Sequence, residues 1–184
     1  MGRTAVFMMC SVDGYVARQD GAVDWHVTDE AFESFANRQL EAAEVLLLGR
    51  VTYELLAGYW PTATGRTADL INGMRKVVFS NSLRAVTWAG TTLVHGEAGD
   101  GLAALKAETA GELLLLGSSR LAAGLLRRGL VDEVRVMVNP VVLGGGQPLL
   151  AGMGGMMKLR LTGTEVFESG NVLQRYQPAD GESG

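Results

Sequence analysis

Three short, unbroken apolar runs divide the chain: Ala5 to Cys10, Val45 to Leu48 and Leu113 to Leu116. Each is too short for a core helix and lacks the alternation of a half-buried strand, so each reads as a strand covered on both faces. Lys76 to Phe79, Thr91 to Val94 and Val134 to Val138 add three more strands. Segments of helical spacing lie between them. The first runs from about Asp29 to Ala43, with Thr28 as its N-cap and Phe32, Phe35, Ala36 and Leu40 as its apolar face. Arg50 to about Ala57 follows, closed by Gly58, then a loop from Pro61 to Thr67 and a short helical piece from Ala68 to Gly73. Two further helices span about Leu102 to Thr109 and Leu121 to Arg128, the second ended by Gly129.

After Gly144-Gly145-Gly146 the pattern changes. Lys158 to Phe167 and Val172 to Tyr176 alternate with polar residues and are joined by Glu168-Ser169-Gly170-Asn171, an antiparallel hairpin. Alternating strands and helices predict an α/β fold. Its central sheet is mostly parallel with helices on both faces, and the C-terminal antiparallel hairpin makes it mixed. One domain over residues 1–177 is expected, with a disordered tail at 178–184.

Composition narrows the function classes. With 184 residues, 47% hydrophobic and 20% charged, the chain can bury a sizeable core. The net charge is -4, and no basic cluster extends beyond Arg127-Arg128, so nucleic acid is a poor partner. Cys10 is the single cysteine, which excludes an intramolecular disulfide and fits a reducing compartment. The apolar run at Ala5 to Cys10 is short for a signal-peptide core and far short of a membrane span. These features predict a soluble, cytoplasmic protein. His26 and His95 lack metal-ligand spacing, and Ser118 lies in no nucleophile-elbow pattern.

The chemistry-bearing features are two strand-to-helix turns. Leu116-Gly117-Ser118-Ser119-Arg120-Leu121 and Leu48-Gly49-Arg50-Val51-Thr52 each place a glycine between an apolar strand and a helix start. The first backbone N–H groups of a helix have no intrahelical partner, and the helix dipole favours an anion there. The amides of Val51 and Thr52, the Thr52 hydroxyl and the Arg50 guanidinium can take phosphate; the same residues can equally form a helix cap beside a surface arginine. Two such turns in one small domain predict a cofactor with several phosphates.

Several motifs occur in one order along the chain: Ser11-Val12-Asp13-Gly14-Tyr15-Val16-Ala17, Leu48 to Glu54, Val77-Val78-Phe79-Ser80-Asn81-Ser82, Gly129-Leu130-Val131-Asp132-Glu133, and Pro140 with Leu143 to Gly146. In this ordered set the chain resembles the dihydrofolate reductase-like family, and more closely the riboflavin-biosynthesis reductase C-terminal domain family. The resemblance implies an NADPH-dependent reductase. Hydride would pass to a C=N or C=O carbon of a small heterocyclic substrate, as in the 5-amino-6-(5-phosphoribosylamino)uracil reductase step. A non-catalytic nucleotide-binding or regulatory module on the same fold is the alternative, and dihydrofolate reduction is a weaker one.

The resemblance also assigns roles. Ser80, Asn81 and Ser82 would hold the adenosine ribose and its 2′-phosphate, with Arg50 favouring NADPH over NADH. Gly117, Ser118, Ser119, Arg120 and Leu121 would form the second phosphate turn. Relatives carry consecutive glycines there, and the hydroxyls of Ser118 and Ser119 would compensate by binding phosphate. Ser11 to Ala17 would be a loop closing over the nicotinamide, with Met9, Cys10 and Val16 beside the ring; Met9 and Cys10 read equally well as core. Asp29 or Glu33 would supply the substrate-binding or catalytic carboxylate, though acids in a first helical turn also answer the dipole. Asp24 and Trp25 are candidates for the substrate pocket, and Trp25 could instead staple the helix. No metal is implied. The resemblance and the terminal hairpin together imply a homodimer.

Overall fold

The computed structural model describes residues 1–179. In chain order its elements are β1 (Arg3–Cys10), β2 (Tyr15–Ala17), α1 (Glu30–Ala42), β3 (Ala43–Gly49), α2 (Arg50–Ala57), a 3₁₀ turn (Trp60–Thr62), α3 (Arg66–Gly73), β4 (Arg75–Phe79), β5 (Thr91–Val94), α4 (Ala98–Glu108), β6 (Glu112–Leu116), α5 (Ser119–Arg127), β7 (Glu133–Val138), β8 (Gln147–Pro148), β9 (Leu159–Val166) and β10 (Val172–Pro178). Eight strands form one sheet in the order β5-β4-β3-β6-β1-β7-β10-β9. The pairs from β5 to β7 are parallel; β10 runs antiparallel to β7 and to β9. The mixed sheet expected from the sequence is therefore present, with the hairpin at one edge.

The apolar runs serve two cores at once. Successive side chains of a strand point to opposite faces. Val6, Met8 and Cys10 of β1, Val45 and Leu47 of β3, and Leu113 and Leu115 of β6 pack with Leu102 and Leu105 of α4 and Leu125 and Leu126 of α5. Their alternates Ala5, Phe7, Leu46, Leu48 and Leu114 pack with Phe35 and Leu40 of α1, Tyr53 of α2 and Ile71 of α3. The result is three layers, with α4 and α5 on one face and α1, α2 and α3 on the other.

Several boundaries differ from the sequence reading. α1 begins at Glu30, and its cap is Asp29 rather than Thr28: the Asp29 carboxylate accepts the Phe32 N–H at 2.7 Å. α4 starts at Ala98, because Gly99 and Gly101 are tolerated inside the helix. Gly101 stands where a Cβ would meet the Phe79 ring at 2.9 Å, so close helix–sheet contact selects glycine there. The short β2–β8 ribbon was not anticipated, since three residues against two give no periodic signal. Pro178 pairs with Leu159, and the Ala179 N–H donates to the Lys158 carbonyl, so the hairpin runs past 177. The rest of the tail expected to be disordered, 180–184, lies outside the described residues.

One polar group is held deep in the structure. Lys76 opens the apolar part of β4 and is fully buried. Its ammonium donates to the carbonyls of Ile71, Asn72 and Met74 at 2.9, 3.1 and 2.7 Å and stands 4.7 Å from the centre of the Trp88 ring. α3 has no basic residue in its own last turn, so a lysine from the next strand satisfies its terminal carbonyls and meets the negative end of its dipole. Lys76→Met keeps the stem but leaves these carbonyls without that donor. A loss of about 3 kcal/mol in unfolding free energy is expected, measured by chemical denaturation. A loss below about 0.5 kcal/mol, within the range of ordinary surface substitutions, would show that water replaces the ammonium.

Candidate active site

The sheet order creates the cleft. The chain builds outward from β3 to β5, then returns to insert β6 between β3 and β1. Leu47 lies opposite Leu115, so the carboxyl ends of β3 and β6 lie side by side, and β1, paired at Phe7 with Leu116, runs on past them to Cys10. The helices that leave β3 and β6 pack on opposite faces of the sheet. Ligands of open α/β sheets bind in the crevice at such a reversal. Here a cleft of about 1070 Å³ opens at this point.

The two turns predicted to bind phosphate meet in this crevice, joined by Ser118. Its Oγ accepts the Gly49 N–H at 2.9 Å and shares a hydrogen bond with Thr52 Oγ1 at 2.9 Å. Ser118 is the sole non-glycine residue with positive φ among the described residues, at φ 60° and ψ 60°. Gly117 beside it has φ 58° and donates its N–H to the Phe7 carbonyl at 3.0 Å. The fit is close on both sides: a Cβ on Gly49 would lie 2.6 Å from Ser118 Oγ, and one on Gly117 would lie 3.2 Å from Thr52 Oγ1. A left-handed non-glycine residue costs about 1–2 kcal/mol, and here the two hydrogen bonds offset that strain.

This corrects one expectation. The Ser118 and Ser119 hydroxyls do not stand free for phosphate. Ser118 fastens the two turns, while the Ser119 hydroxyl donates to the Pro148 carbonyl and accepts the Ala151 N–H at 2.8 Å. The anion-attracting features that remain are backbone amides and two arginines. Arg50 is the first residue of α2 and Arg120 the second of α5, and both line the cleft. A cation at a helix N-terminus opposes the dipole, so the two arginines add to the positive ends of the two helices. Arg50 is held by Glu54 at 3.0 Å and stays half exposed.

Of the other predicted site residues, Met9, Val16, Gly49, Val51, Thr52, Gly117, Leu121, Asp29 and Glu33 also line the cleft. Cys10, Asp24, Trp25, Ser80, Asn81 and Ser82 do not. Cys10 points into the core on the α4–α5 side, where burial first, and the Asp13 charge second, push its thiol up to about 11. Asp24 pairs with Arg18 at 2.8 Å. Trp25 donates to the Ala22 carbonyl and stacks edge-on against His26, with ring centres 4.5 Å apart. It braces the approach to α1, and its neighbour reaches the cleft instead. Ser80 caps its own turn by accepting the Ser82 and Leu83 N–H groups, and Asn81 binds Gly96 in both directions. That turn lies beyond the cleft, at the end of β4.

Other cleft residues carried no clear sequence signal. His26 was set aside for want of metal spacing, yet it lines the cleft with a buried Nε2 that has no hydrogen-bond partner. Burial pushes its pKa down to about 4, so it is neutral at physiological pH. Leu55, Leu56, Tyr59 and Trp60 form an apolar wall; the aromatic pair before Pro61 was the available hint. Among the described residues, no three His, Cys, Asp or Glu side chains gather as a metal site.

The Ser11–Ala17 segment is tied over one side. The Asp13 carboxylate accepts the Leu143 and Gly144 N–H groups at 3.1 and 2.7 Å, and its hydrogen bond with Ser11 and these amides hold its pKa below the usual carboxylate range. β2 then pairs with β8, which requires glycine at 146: a Cβ there would lie 2.1 Å from the Ala17 carbonyl oxygen.

Fold and crevice define a class: a three-layer α/β protein of the dihydrofolate reductase-like fold, with paired helix N-termini at the topological switch. The chain belongs to the RibD C-terminal domain family, whose model matches residues 4–173. It is 27% identical over 177 residues to the uncharacterized protein YyaP of Bacillus subtilis (strain 168), with 92% of each chain covered. Its fold matches a putative riboflavin biosynthesis protein from Shewanella sp. PV-4 at TM-score 0.77, 23% identity and 97% and 99% coverage of this chain and that one. It also matches the Thermotoga maritima diaminohydroxyphosphoribosylaminopyrimidine deaminase/5-amino-6-(5-phosphoribosylamino)uracil reductase (TM-score 0.70, 15% identity, 97% of this chain and 57% of that one). Dihydrofolate reductase from Enterococcus faecalis, solved with NADP(H), matches at TM-score 0.68 and 14% identity over 97% of this chain and 98% of that one.

Two outcomes follow for the site. Ser118→Ala removes both hydrogen bonds and keeps the left-handed strain, whereas Ser118→Gly removes the bonds and the strain together. The alanine variant should therefore be less stable than the glycine variant by about 1 kcal/mol, read by urea denaturation; equal stabilities would contradict the strained turn. His26 sets a pH dependence. Its ordinary pKa is 6.5 and its folded value about 4, so between them the unfolded chain binds the extra proton. Its contribution is complete above pH 6.5 and is lost as pH falls toward 4. His26→Phe should flatten the stability profile in that window, and an unchanged slope would count against a buried, neutral imidazole.

Proposed function

We propose that this protein is an NADPH-dependent reductase acting on a C=N or C=O bond of a small heterocycle. Its reaction type would be that of the riboflavin-pathway uracil reductase step. The observation that carries the reading is the junction of two arginine-bearing helix N-termini at the mouth of an otherwise largely apolar cleft. The residues fit the cofactor. The α2 and α5 amides with Arg120 suit a diphosphate, half-exposed Arg50 suits the additional phosphate of NADPH, and the walls at Met9 and Val16 suit a flat ring. NADPH, when bound, supplies the hydride. The protein orients the partners and excludes water with the β2–β8 ribbon, while its acids manage the proton. Of the two candidate carboxylates, Glu33 is the freer. Asp29 spends one oxygen on its helix cap, whereas Glu33 accepts only a long contact from the Thr67 hydroxyl at 3.4 Å.

The family, rather than any single relative, supports reductase chemistry. No helix among the described residues is long and apolar enough to cross a membrane, which is consistent with a cytoplasmic location. The edge strand β9 exposes Leu161 and Val166 at 53% and 73%, which supports a homodimer through that edge.

NADPH should raise the melting temperature more than NADH, because Arg50 favours the additional phosphate. Ligand at a hundred times its dissociation constant adds about 2.7 kcal/mol. Arg50→Ala and Arg120→Ala should each weaken NADPH binding by about tenfold while leaving the ligand-free melt unchanged; one charge-assisted hydrogen bond is worth about 1.5–3 kcal/mol. Equal shifts with both cofactors, or unchanged affinity in both variants, would remove the phosphate assignment. NADPH binding without oxidation on any heterocycle would favour a regulatory nucleotide-binding module.

A further inference from the structure

Two neighbouring serines tie the α5 turn in opposite directions. Ser118 fastens it to the turn after β3. Ser119, the first residue of α5, is 4% exposed, and its Oγ donates to the Pro148 carbonyl and accepts the Ala151 N–H at 2.8 Å. Between those two anchor points the Leu149 N–H donates to the Gly14 carbonyl at 2.9 Å, and Pro148 and Gln147 pair with Tyr15 and Ala17. One short segment, 147–151, thus bonds to the α5 turn through Ser119 and to the Ser11–Ala17 loop through its own backbone. Beyond the packing of Leu149 and Leu150 on the α4–α5 core, little else holds it. Glycines at 144–146 and at 152, 154 and 155 flank it, its residues are half-buried or exposed, and the next tie to α5, from Arg127, is to the Gly152 carbonyl. Few buried contacts and an exposed backbone mark a segment that opens at low cost.

We infer that Ser119 is a positioning residue that couples the two ends of the cofactor: phosphate held at the α5 turn fixes its hydroxyl, and the hydroxyl fixes segment 147–151 and the Ser11–Ala17 loop that pairs with it. This rests on the reading that the paired turns hold the cofactor's phosphates. The first amides of α5 have no intrahelical partner, so an anion there stabilises the first turn of the helix, in which Ser119 lies. A first turn that no longer frays holds the Ser119 hydroxyl in place for Pro148 and Ala151. Ordering 147–151 then costs less conformational entropy, and the loop that pairs with it is ordered before the nicotinamide is seated. Linkage is reciprocal, so a loop closed over the nicotinamide tightens the hold on the phosphates by the same factor. The backbone amides of the turn do not need a hydroxyl at this position; the connection to 147–151 does.

The test is amide hydrogen exchange at single residues with 2′-phospho-ADP-ribose, which carries every phosphate of NADPH and lacks the nicotinamide. Val51 and Thr52 report the turns. Leu149 and Val12 report the coupled segment and loop: neither lines the cleft, and their N–H groups donate to the Gly14 and Val141 carbonyls, so the fragment cannot shield them by contact. In the wild type the fragment should slow exchange at all four. In Ser119→Ala, checked for folding by circular dichroism, it should slow Val51 and Thr52 only. The preference for NADPH over the fragment, read as the ratio of their dissociation constants, should fall about fivefold or more in that variant. Protection of the turn amides with Leu149 and Val12 unchanged in the wild type overturns the inference, whether or not the variant folds. Equal protection of Leu149 and Val12 in both proteins overturns it too. If NADPH itself leaves Val51 and Thr52 unchanged, the cofactor reading fails and the inference falls with it, a result told apart by the silent turn amides.

Discussion

The position of β6 between β1 and β3 is the constraint on which the rest depends. All three strands are buried on both faces, so their residues must be apolar almost without interruption. Inserting the later strand between two earlier ones makes the sheet reverse its direction of growth. The helices that follow β3 and β6 then leave on opposite faces, and their N-termini remain side by side. Two helix ends of the same polarity repel. A hydroxyl on one turn that accepts the Gly49 N–H of the other and shares a hydrogen bond with its Thr52 hydroxyl lowers that cost locally, and Ser118 supplies it. An anion in the crevice lowers it further, which is the physical reason to expect phosphate there.

Much of the fold was legible in the chain. Runs such as Leu46-Leu47-Leu48 and Leu113 to Leu116 could only be strands covered on both sides, and the glycines after them marked the turns. Less legible were features made by contacts distant in sequence. Nothing near Lys76 signals that its ammonium caps α3, because a lysine opening a strand usually marks an exposed end. The Ser118 hydroxyl looked free because its partners, Gly49 and Thr52, lie more than sixty residues away. Asp29 and Thr28 compete for one cap, and sequence alone could not say which carboxylate or hydroxyl would reach the Phe32 amide.

The site was legible to a similar degree. Both glycine turns and the acids of α1 fall on one cleft, whereas Cys10, the Asp24–Trp25 pair and the Ser80–Ser82 turn fall outside it. The difference is one of scale. A strand end fixes a turn's position within the crevice, but which face a single side chain takes depends on register, as at Met9 and Cys10, neighbours that point to opposite layers. Electrostatics adds to the cleft: the α2 and α5 N-termini bring Arg50 and Arg120 to it, the start of α1 brings Asp29, Glu30 and Glu33, and apolar walls in the same cavity strengthen these fields by keeping water away.

The central claim is that the paired turns after β3 and β6 hold the cofactor's phosphates. Amide hydrogen exchange with and without NADPH, resolved to single residues, tests it most directly. The account expects strong added protection at Val51, Thr52, Arg120 and Leu121 together. NADPH binding that leaves these four amides unchanged while protecting others would contradict it.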